Sequence, residues 1–292
     1  MDVLRISCAH AVTYVPHFAG LATGQFAQRD LSLAFYHGRG TVEDTVGAVN
    51  RGEVDLLLGS CVYGLRLAQT GIDPVVVAQI NQQTHHVVAQ RAGDAGGLSW
   101  AGLRGKVMVV HPGGAPTAWA AFTYALGKAG LSTSDLKLVI GYTAADSIGE
   151  FARGVGDVLF VHGEAALEAG LRTTLPVCRQ SGNLPWSVYM ADRRLAERKR
   201  PAMARFAEAL DSTQKWMQEV SADDVVDAVL PYFPGYSRER LAAAVAYYRS
   251  IDLWTSSSAV RLDQLERWSE ALRLDGLLAP EKQLTDILGV LR

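Results

Sequence analysis

The residues best suited to chemistry lie directly after short apolar runs that the sequence predicts as strands. Cys8 and His10 follow the first run, residues 3–7, beside a predicted helix start. A thiol in such a place, next to an imidazole, can have a lowered pKa and act as a nucleophile. A buried cysteine that packs as a small apolar residue is the commoner alternative, and the sequence favours it.

Later strand ends carry residues suited to holding a polar ligand. Ser60 and Cys61 follow the predicted strand 54–58, and residues 112–117 form a glycine-rich turn that opens a helix. Backbone amides and the helix dipole at such a turn can face a small anion. Four histidines fall at strand ends or expected crossings of the chain: His10, His86, His111 and His162. We predict hydrogen bonds to a polar ligand from the first and last of them.

Aromatic side chains near these turns indicate a ligand that contains a ring, because their broad apolar faces can stack on it. They are Tyr14, Tyr63, Trp119 and Trp186. The full set of predicted ligand-binding residues is His10, Thr13, Tyr14, Ser60, Cys61, Gly114, Ala115, Pro116, Thr117, Trp119, His162 and Trp186.

The elements that must position these residues alternate between strand and helix, which predicts an α/β fold with mainly parallel sheets and helices on both faces. Strands are predicted at 31–35, 54–58, 75–80, 107–110, 136–140, 158–161 and 188–190, and helices at 42–50, 117–129, 145–153 and 163–169. Beyond residue 193 the pattern is helical, at 201–220, 222–230, 238–248 and 258–274, with starts at Ser221, Ser237 and Ser257.

Length and composition exclude several classes. The 292 residues exceed one ordinary core, which predicts two lobes. A net charge of −2, with both signs interspersed, disfavours nucleic acid and permits a monomer. The three cysteines do not have the spacing of a metal site, and the pair His162 and Glu164 has no further ligand at metalloprotease spacing. We therefore predict no metal site. No segment has an apolar stretch near the roughly 20 residues that a membrane-spanning helix needs. The first strand starts almost at Met1, which favours a cytoplasmic protein; a removed leader would instead make it periplasmic.

Four segments carry a resemblance to a known family: 22–26, 51–55, 103–109 and 247–254, which read ATGQF, RGEVD, LRGKVMV and YYRSIDLW. With the order of the elements, they resemble the type II periplasmic binding proteins, in particular the group for taurine, alkanesulfonates, nitrate and thiamine-pyrimidine precursors. The resemblance implies two lobes, 1–86 plus 191–292 and 87–190. They would be joined by a two-segment hinge, with a ligand cleft between them.

The resemblance implies a solute-binding protein that closes on a small organic ligand and serves an ABC importer permease. We predict a ring-bearing ligand with a polar or anionic group, and no cofactor. The thiamine-pyrimidine synthases of this fold need an early lysine for pyridoxal phosphate, and the first lysine here is Lys106.

An enzyme without a cofactor on the same fold remains open as the alternative. It would be a desulfinase, decarboxylase, isomerase or hydrolase of an aryl or carboxylate substrate. The aromatic sulfinate desulfinases have a cysteine in a comparable first-strand turn and pair it with a histidine and an arginine. The match here is partial: Cys8 and Arg51 have plausible positions, but Glu43 and Asp44 lie near where the histidine would be sought. If the chain is an enzyme, we expect Cys8, His10 and Arg51 to be its catalytic residues.

Overall fold

Two β-sheets with helices packed around them form the molecule, described here from a computed structural model. The structure describes residues 1–37, 41–94, 96–111 and 116–291. Of the predicted ligand-binding residues, Gly114 and Ala115 lie outside this part of the chain.

The first sheet contains six strands: β1 (Asp2–Ser7), β2 (Leu31–Phe35), β3 (Leu56–Ser60), β4 (Pro74–Asn81), β10 (Ser187–Asp192) and β11 (Gly289–Val290). Their order is β11-β4-β10-β3-β1-β2. The second sheet contains five: β5 (His86–Gln90), β6 (Val107–Val109), β7 (Lys137–Val139), β8 (Val158–His162) and β9 (Arg172–Pro176). Their order is β7-β6-β8-β5-β9. The sequence reasoning missed β5, whose residues it assigned to a crossing of the chain, and also β9 and the short β11.

Parallel pairing dominates the strands that alternate with helices, as predicted. The antiparallel pairings all involve β5 or β10, the strands on which the chain passes from one sheet to the other. A chain that enters a sheet from the other lobe arrives from the cleft side, so its strand runs against its neighbours. The α/β prediction with two lobes is confirmed.

The predicted lobe boundaries differ from the sheet pairing by a few residues. The range 87–190 includes residues 187–190, but Tyr189 pairs with Leu58 and Ala78 of the first sheet. His86, predicted as the end of lobe one, pairs with His162 in the second sheet. The chain therefore changes sheet within 82–85 and 177–186. The exact lobe boundaries and the hinge between the lobes remain predictions.

Twelve α-helices lie in the described part of the chain. They are α1 (Val15–Ala22), α2 (Val42–Asn50), α3 (Val62–Gln69), α4 (Pro116–Lys128), α5 (Ala144–Ala152), α6 (Gly163–Glu168), α7 (Val177–Ser181), α8 (Arg193–Arg198), α9 (Arg200–Glu219), α10 (Ala222–Val229), α11 (Arg238–Ser250) and α12 (Leu262–Leu274). The carboxyl-terminal helices pack against elements of both halves of the chain. Helix α9 packs against α1 and β4, α11 against α6, and α12 against α4.

Serine caps begin two of the carboxyl-terminal helices as predicted, but not the last. Ser221 and Ser237 accept hydrogen bonds from Asp224 N and Arg240 N at 3.1 and 3.2 Å. The predicted start at Ser257 is wrong, because α12 begins only at Leu262. The backbone at Ser258 is instead bonded to other elements: its N–H donates to Asp211, and its carbonyl accepts from Gln79 N at 2.6 Å.

The Asp55 carboxylate joins three parts of the first lobe at the start of β3. It accepts hydrogen bonds from Arg5 N, Nε and Nη2 at 2.9, 3.0 and 2.8 Å, and it pairs with Lys199 Nζ at 3.0 Å. The Asp55 side chain is fully buried. Burial alone would raise its pKa, but the hydrogen bonds from Arg5 and Lys199 outweigh burial and lower it. The last residue of the RGEVD segment therefore has a structural role here.

Candidate functional site

A cavity of about 400 Å³ lies at the carboxyl end of β3 and between the starts of α3 and α4. Six of the predicted ligand-binding residues line it: Thr13, Tyr14, Ser60, Pro116, Thr117 and Trp186. They come from both sheets' connecting segments, so the cavity occupies the expected place between the two halves of the chain. Its volume falls in the range of small-molecule sites, roughly 300 to 1,000 Å³.

One wall of the cavity is formed by two helix starts that approach each other. Ser60 precedes α3, and its hydroxyl lies 3.5 Å from the hydroxyl of Thr117 in the first turn of α4. Ser60 Oγ also accepts a hydrogen bond from Val62 N at 3.3 Å. A helix start leaves backbone N–H groups without partners inside the helix, and it carries the positive end of the helix dipole. This wall can bind an anionic or hydrogen-bond-accepting group.

Aromatic side chains also line the cavity and give it apolar surface. Tyr14, Tyr63 and Trp186 all line it, and Trp186 is held by ring contact with Trp268 at 5.7 Å between centroids. Burial raises the pKa of Tyr14 and Tyr63, so both phenols are neutral at physiological pH. Neutral, partly buried rings of this kind can pack on a planar ligand.

Two charged residues reach the cavity that the sequence reasoning did not select, Arg66 and Glu43. Arg66 is exposed and lies one helical turn beyond Tyr63, so the two share a face of α3. It forms no ion pair with any residue that the structure describes. An i, i+3 pattern from Tyr63 is the signal that could have identified Arg66. His85 and Ser187 also line the cavity and were likewise missed.

Four predicted ligand-binding residues lie away from this cavity. Cys61 is fully buried in the core, where burial raises its pKa to about 12. Trp119 packs against Phe122 and Phe160, with centroids 5.2 and 5.9 Å apart. His10 contacts the rings of Phe18 and Phe35 and lies 3.4 Å, measured from Nδ1, from the Tyr232 carbonyl oxygen. The fourth, His162, lines a second cavity.

This second cavity, of about 370 Å³, is lined by residues of α5, β8 and α6, and by three histidines: His86, His111 and His162. Together with His85, two of these histidines form a cluster that could hold a metal ion: His85, His86 and His162. Burial lowers the pKa of all three, so the imidazoles are neutral at pH 7.

The three residues of the desulfinase alternative have environments that do not favour catalysis. Burial raises the pKa of the Cys8 thiol well above its ordinary value, which is the opposite of activation. His10 contacts phenylalanine rings, as described above. Arg51 caps α2 and forms two hydrogen bonds of 2.9 Å with the carboxylate of Glu53, so its charge is already paired.

We expect the thiols of the native protein to be unreactive. Burial raises the pKa of Cys8, Cys61 and Cys178, so at neutral pH each should react with a disulfide reagent at least about tenfold more slowly than free cysteine. The measurement is thiol titration in native and denaturing buffer, with all three cysteines reacting only after unfolding. One fast thiol that disappears in Cys8→Ser would contradict this and restore the nucleophile hypothesis.

The fold is that of the type II periplasmic binding proteins, which solved structures share over nearly the whole chain. The periplasmic aliphatic sulphonate binding protein SsuA from Escherichia coli is similar with a TM-score of 0.77 and 16% identity, covering 98% of this chain and 97% of that one. The desulfurization enzyme DSZB is similar with a TM-score of 0.68 and 15% identity, covering 97% and 94%.

Among curated proteins, the chain is similar to YtlA of Bacillus subtilis (strain 168), which is provisionally named a binding protein. The two are 24% identical over 247 residues, which make up 82% of this chain and 73% of YtlA. No protein-family model matches the chain. At these identities the comparisons establish the fold, while the function is argued from the site.

Proposed function

We propose that the protein is a solute-binding protein that holds a small organic anion with a ring in the cavity between its two sheets. The observation that carries the proposal is that one cavity brings together two helix starts, the cation of Arg66 and three aromatic rings. The helix starts of α3 and α4 and the Arg66 guanidinium suit a sulfonate or carboxylate. Tyr14, Tyr63 and Trp186 suit an aryl or heteroaromatic ring.

Closure of the two lobes on the ligand is part of the proposed function. Ser60 and Thr117 belong to different halves of the chain and are within 3.5 Å of each other. A ligand that contacts both would favour the closed arrangement over the open one by its differential binding energy. The name of the similar E. coli protein, a sulphonate binding protein, supports an anionic ligand.

The implied partner is an ABC importer permease, and the implied location is the periplasm or its extracytoplasmic equivalent. The similarity to a periplasmic protein supports the removed-leader alternative over the cytoplasmic one. No helix in the described ranges is long and apolar enough to cross a membrane. The balanced charge permits a monomer, which is the oligomeric state we propose.

The test is native mass spectrometry of the protein purified from its own host, followed by denaturing extraction of any bound molecule. The proposal predicts one small molecule per chain that contains a ring and an anionic group and that is recovered unchanged. A protein that is empty after gentle purification, and that converts a supplied aryl sulfinate or carboxylate into product, would contradict the binding function and favour an enzyme.

A further inference from the structure

The histidine cluster His85, His86 and His162 brings together residues from one crossing of the chain and from the end of a later strand. His86 begins β5 and pairs with His162 at the end of β8, and His85 is its neighbour in sequence. One ring nitrogen from each histidine can be chosen so that all three lie within 4.8 Å of one another. The ring centroids of His86 and His162 are 4.2 Å apart, and those of His85 and His162 are 4.7 Å apart.

The nitrogens of this cluster are incompletely satisfied. His85 and His86 are more than nine-tenths buried. His85 Nδ1 is buried and has no hydrogen-bond partner in the part of the chain that the structure describes. His86 Nδ1 lies 3.2 Å from the Thr84 hydroxyl. If it donates there, its Nε2 keeps a free lone pair, as in metal-ligating histidines oriented by a second group. Buried polar atoms without a partner are costly, which calls for a group to satisfy them.

We propose that His85, His86 and His162 form a binding site for a divalent transition-metal ion of the zinc type. Neutral imidazole is a preferred ligand of such ions. Because the three ring nitrogens lie within 4.8 Å of one another, an ion can be placed within about 2.8 Å of all three. Modest rotations of the rings would then shorten these distances to the usual Zn–N distance of roughly 2.0 to 2.1 Å. Three protein ligands leave a fourth position open for water or for a ligand.

The open position would be accessible from both cavities. His85 and His86 line the cavity of the proposed solute site, and His86 and His162 line the second cavity. An ion held by all three would therefore lie where the two cavities approach each other. The nearby Glu164 is not a candidate ligand, because its two carboxylate oxygens accept hydrogen bonds from Tyr236 and Tyr248 at 2.7 and 3.0 Å.

The sequence did not predict this site because its ligands share no regular spacing. His85 and His86 are adjacent and lie at the crossing from the first sheet to the second, whereas His162 ends a strand much later in the chain. Only the antiparallel pairing of β5 with β8 brings them together. The inference is independent of the proposed solute, since it rests on the histidine cluster alone.

The test is metal titration of tag-free protein that has been treated with a chelator and dialysed. We expect one Zn²⁺ per chain by calorimetry, a visible absorption band of tetrahedral Co²⁺ that Zn²⁺ displaces, and a higher unfolding temperature with Zn²⁺. His162→Ala and His86→Ala should each weaken Zn²⁺ binding by at least about tenfold, because even outer-shell changes cost that much. His37→Ala, at an exposed histidine outside the cluster, should bind as the unaltered protein does.

Neighbouring groups surround the His162 imidazole enough to lower its pKa, but the residue as a whole is exposed to solvent. His162→Ala is therefore expected to fold, and its circular dichroism and unfolding temperature without metal check this. Substoichiometric binding, a Co²⁺ spectrum without tetrahedral character, or Zn²⁺ binding that His162→Ala leaves unchanged would overturn the site. Loss of binding in His37→Ala would show that the ion binds elsewhere. The solute test above uses a different readout, so either proposal can fail alone.

Discussion

Replacing Arg66 by alanine is expected to weaken the binding of benzenesulfonate roughly 10- to 100-fold. A hydrogen bond to a charged group contributes about 1.5 to 3 kcal/mol, and each 1.4 kcal/mol is about tenfold in affinity. Arg66 lines the cavity and has no carboxylate partner among the described residues, so its charge is free to pair with an anion. Isothermal titration calorimetry measures the change.

The matched control for Arg66 is Arg198→Ala. Arg198 is an exposed arginine in the last turn of α8 and does not line the cavity, so this substitution removes the same charge from another surface. We expect its affinity to stay within about twofold of the unaltered protein, because distant surface charges are largely screened. Equal losses in both variants would mean that Arg66 acts only through overall charge, and no loss in Arg66→Ala would remove it from the site.

Replacing Asp55 by alanine is expected to lower the free energy of unfolding by about 2 to 3 kcal/mol at pH 7. Removing one member of a buried ion pair typically costs about 3 to 5 kcal/mol. Here the cations of Arg5 and Lys199 are partly exposed, so water can solvate them and the loss is smaller. Denaturant unfolding measures it. The surface pair of Arg261 and Asp263 provides the control: Asp263→Ala should change stability by less than about 1 kcal/mol.

The contribution of Asp55 should also depend on pH with a defined sign. Its pKa is lower in the folded protein than in the unfolded chain. The unfolded state therefore binds a proton first as the pH falls, and the stabilisation is complete above the unfolded pKa, about 4. It disappears as the pH falls through the folded pKa. The stability difference between the unaltered protein and Asp55→Ala should therefore shrink below about pH 4; a constant difference would contradict the ionised pair.

The sequence predicted much of the fold because its signals are local. Apolar runs between turns identified most strands of both sheets, and Ser221 and Ser237 marked helix starts through their capping hydrogen bonds. The start at Ser257 was wrong because Ser258 forms tertiary hydrogen bonds with Asp211 and Gln79, and the helix begins only at Leu262. The capping preference of a residue depends on its neighbours in sequence, so it does not predict such tertiary partners.

The candidate site was predictable where it depends on strand ends, and not where it depends on side-chain direction. Ser60, Pro116 and Thr117 follow from the rule that ligands lie at the carboxyl ends of strands. Trp119 lies on the same helix as Thr117 but packs on Phe122 and Phe160, because the rotation of α4 about its axis decides which residues face the cavity. Arg66 was missed for the corresponding reason on α3.

A crystal structure of the protein with benzenesulfonate tests the central claim most directly. The account predicts that the sulfonate lies between Ser60, Thr117 and Arg66, and that the ring lies against Tyr14 or Trp186. Density for the molecule only in the cavity beside His111, or only on the outer surface while the cavity between the sheets stays free of it, would contradict the assignment of that cavity as the solute site.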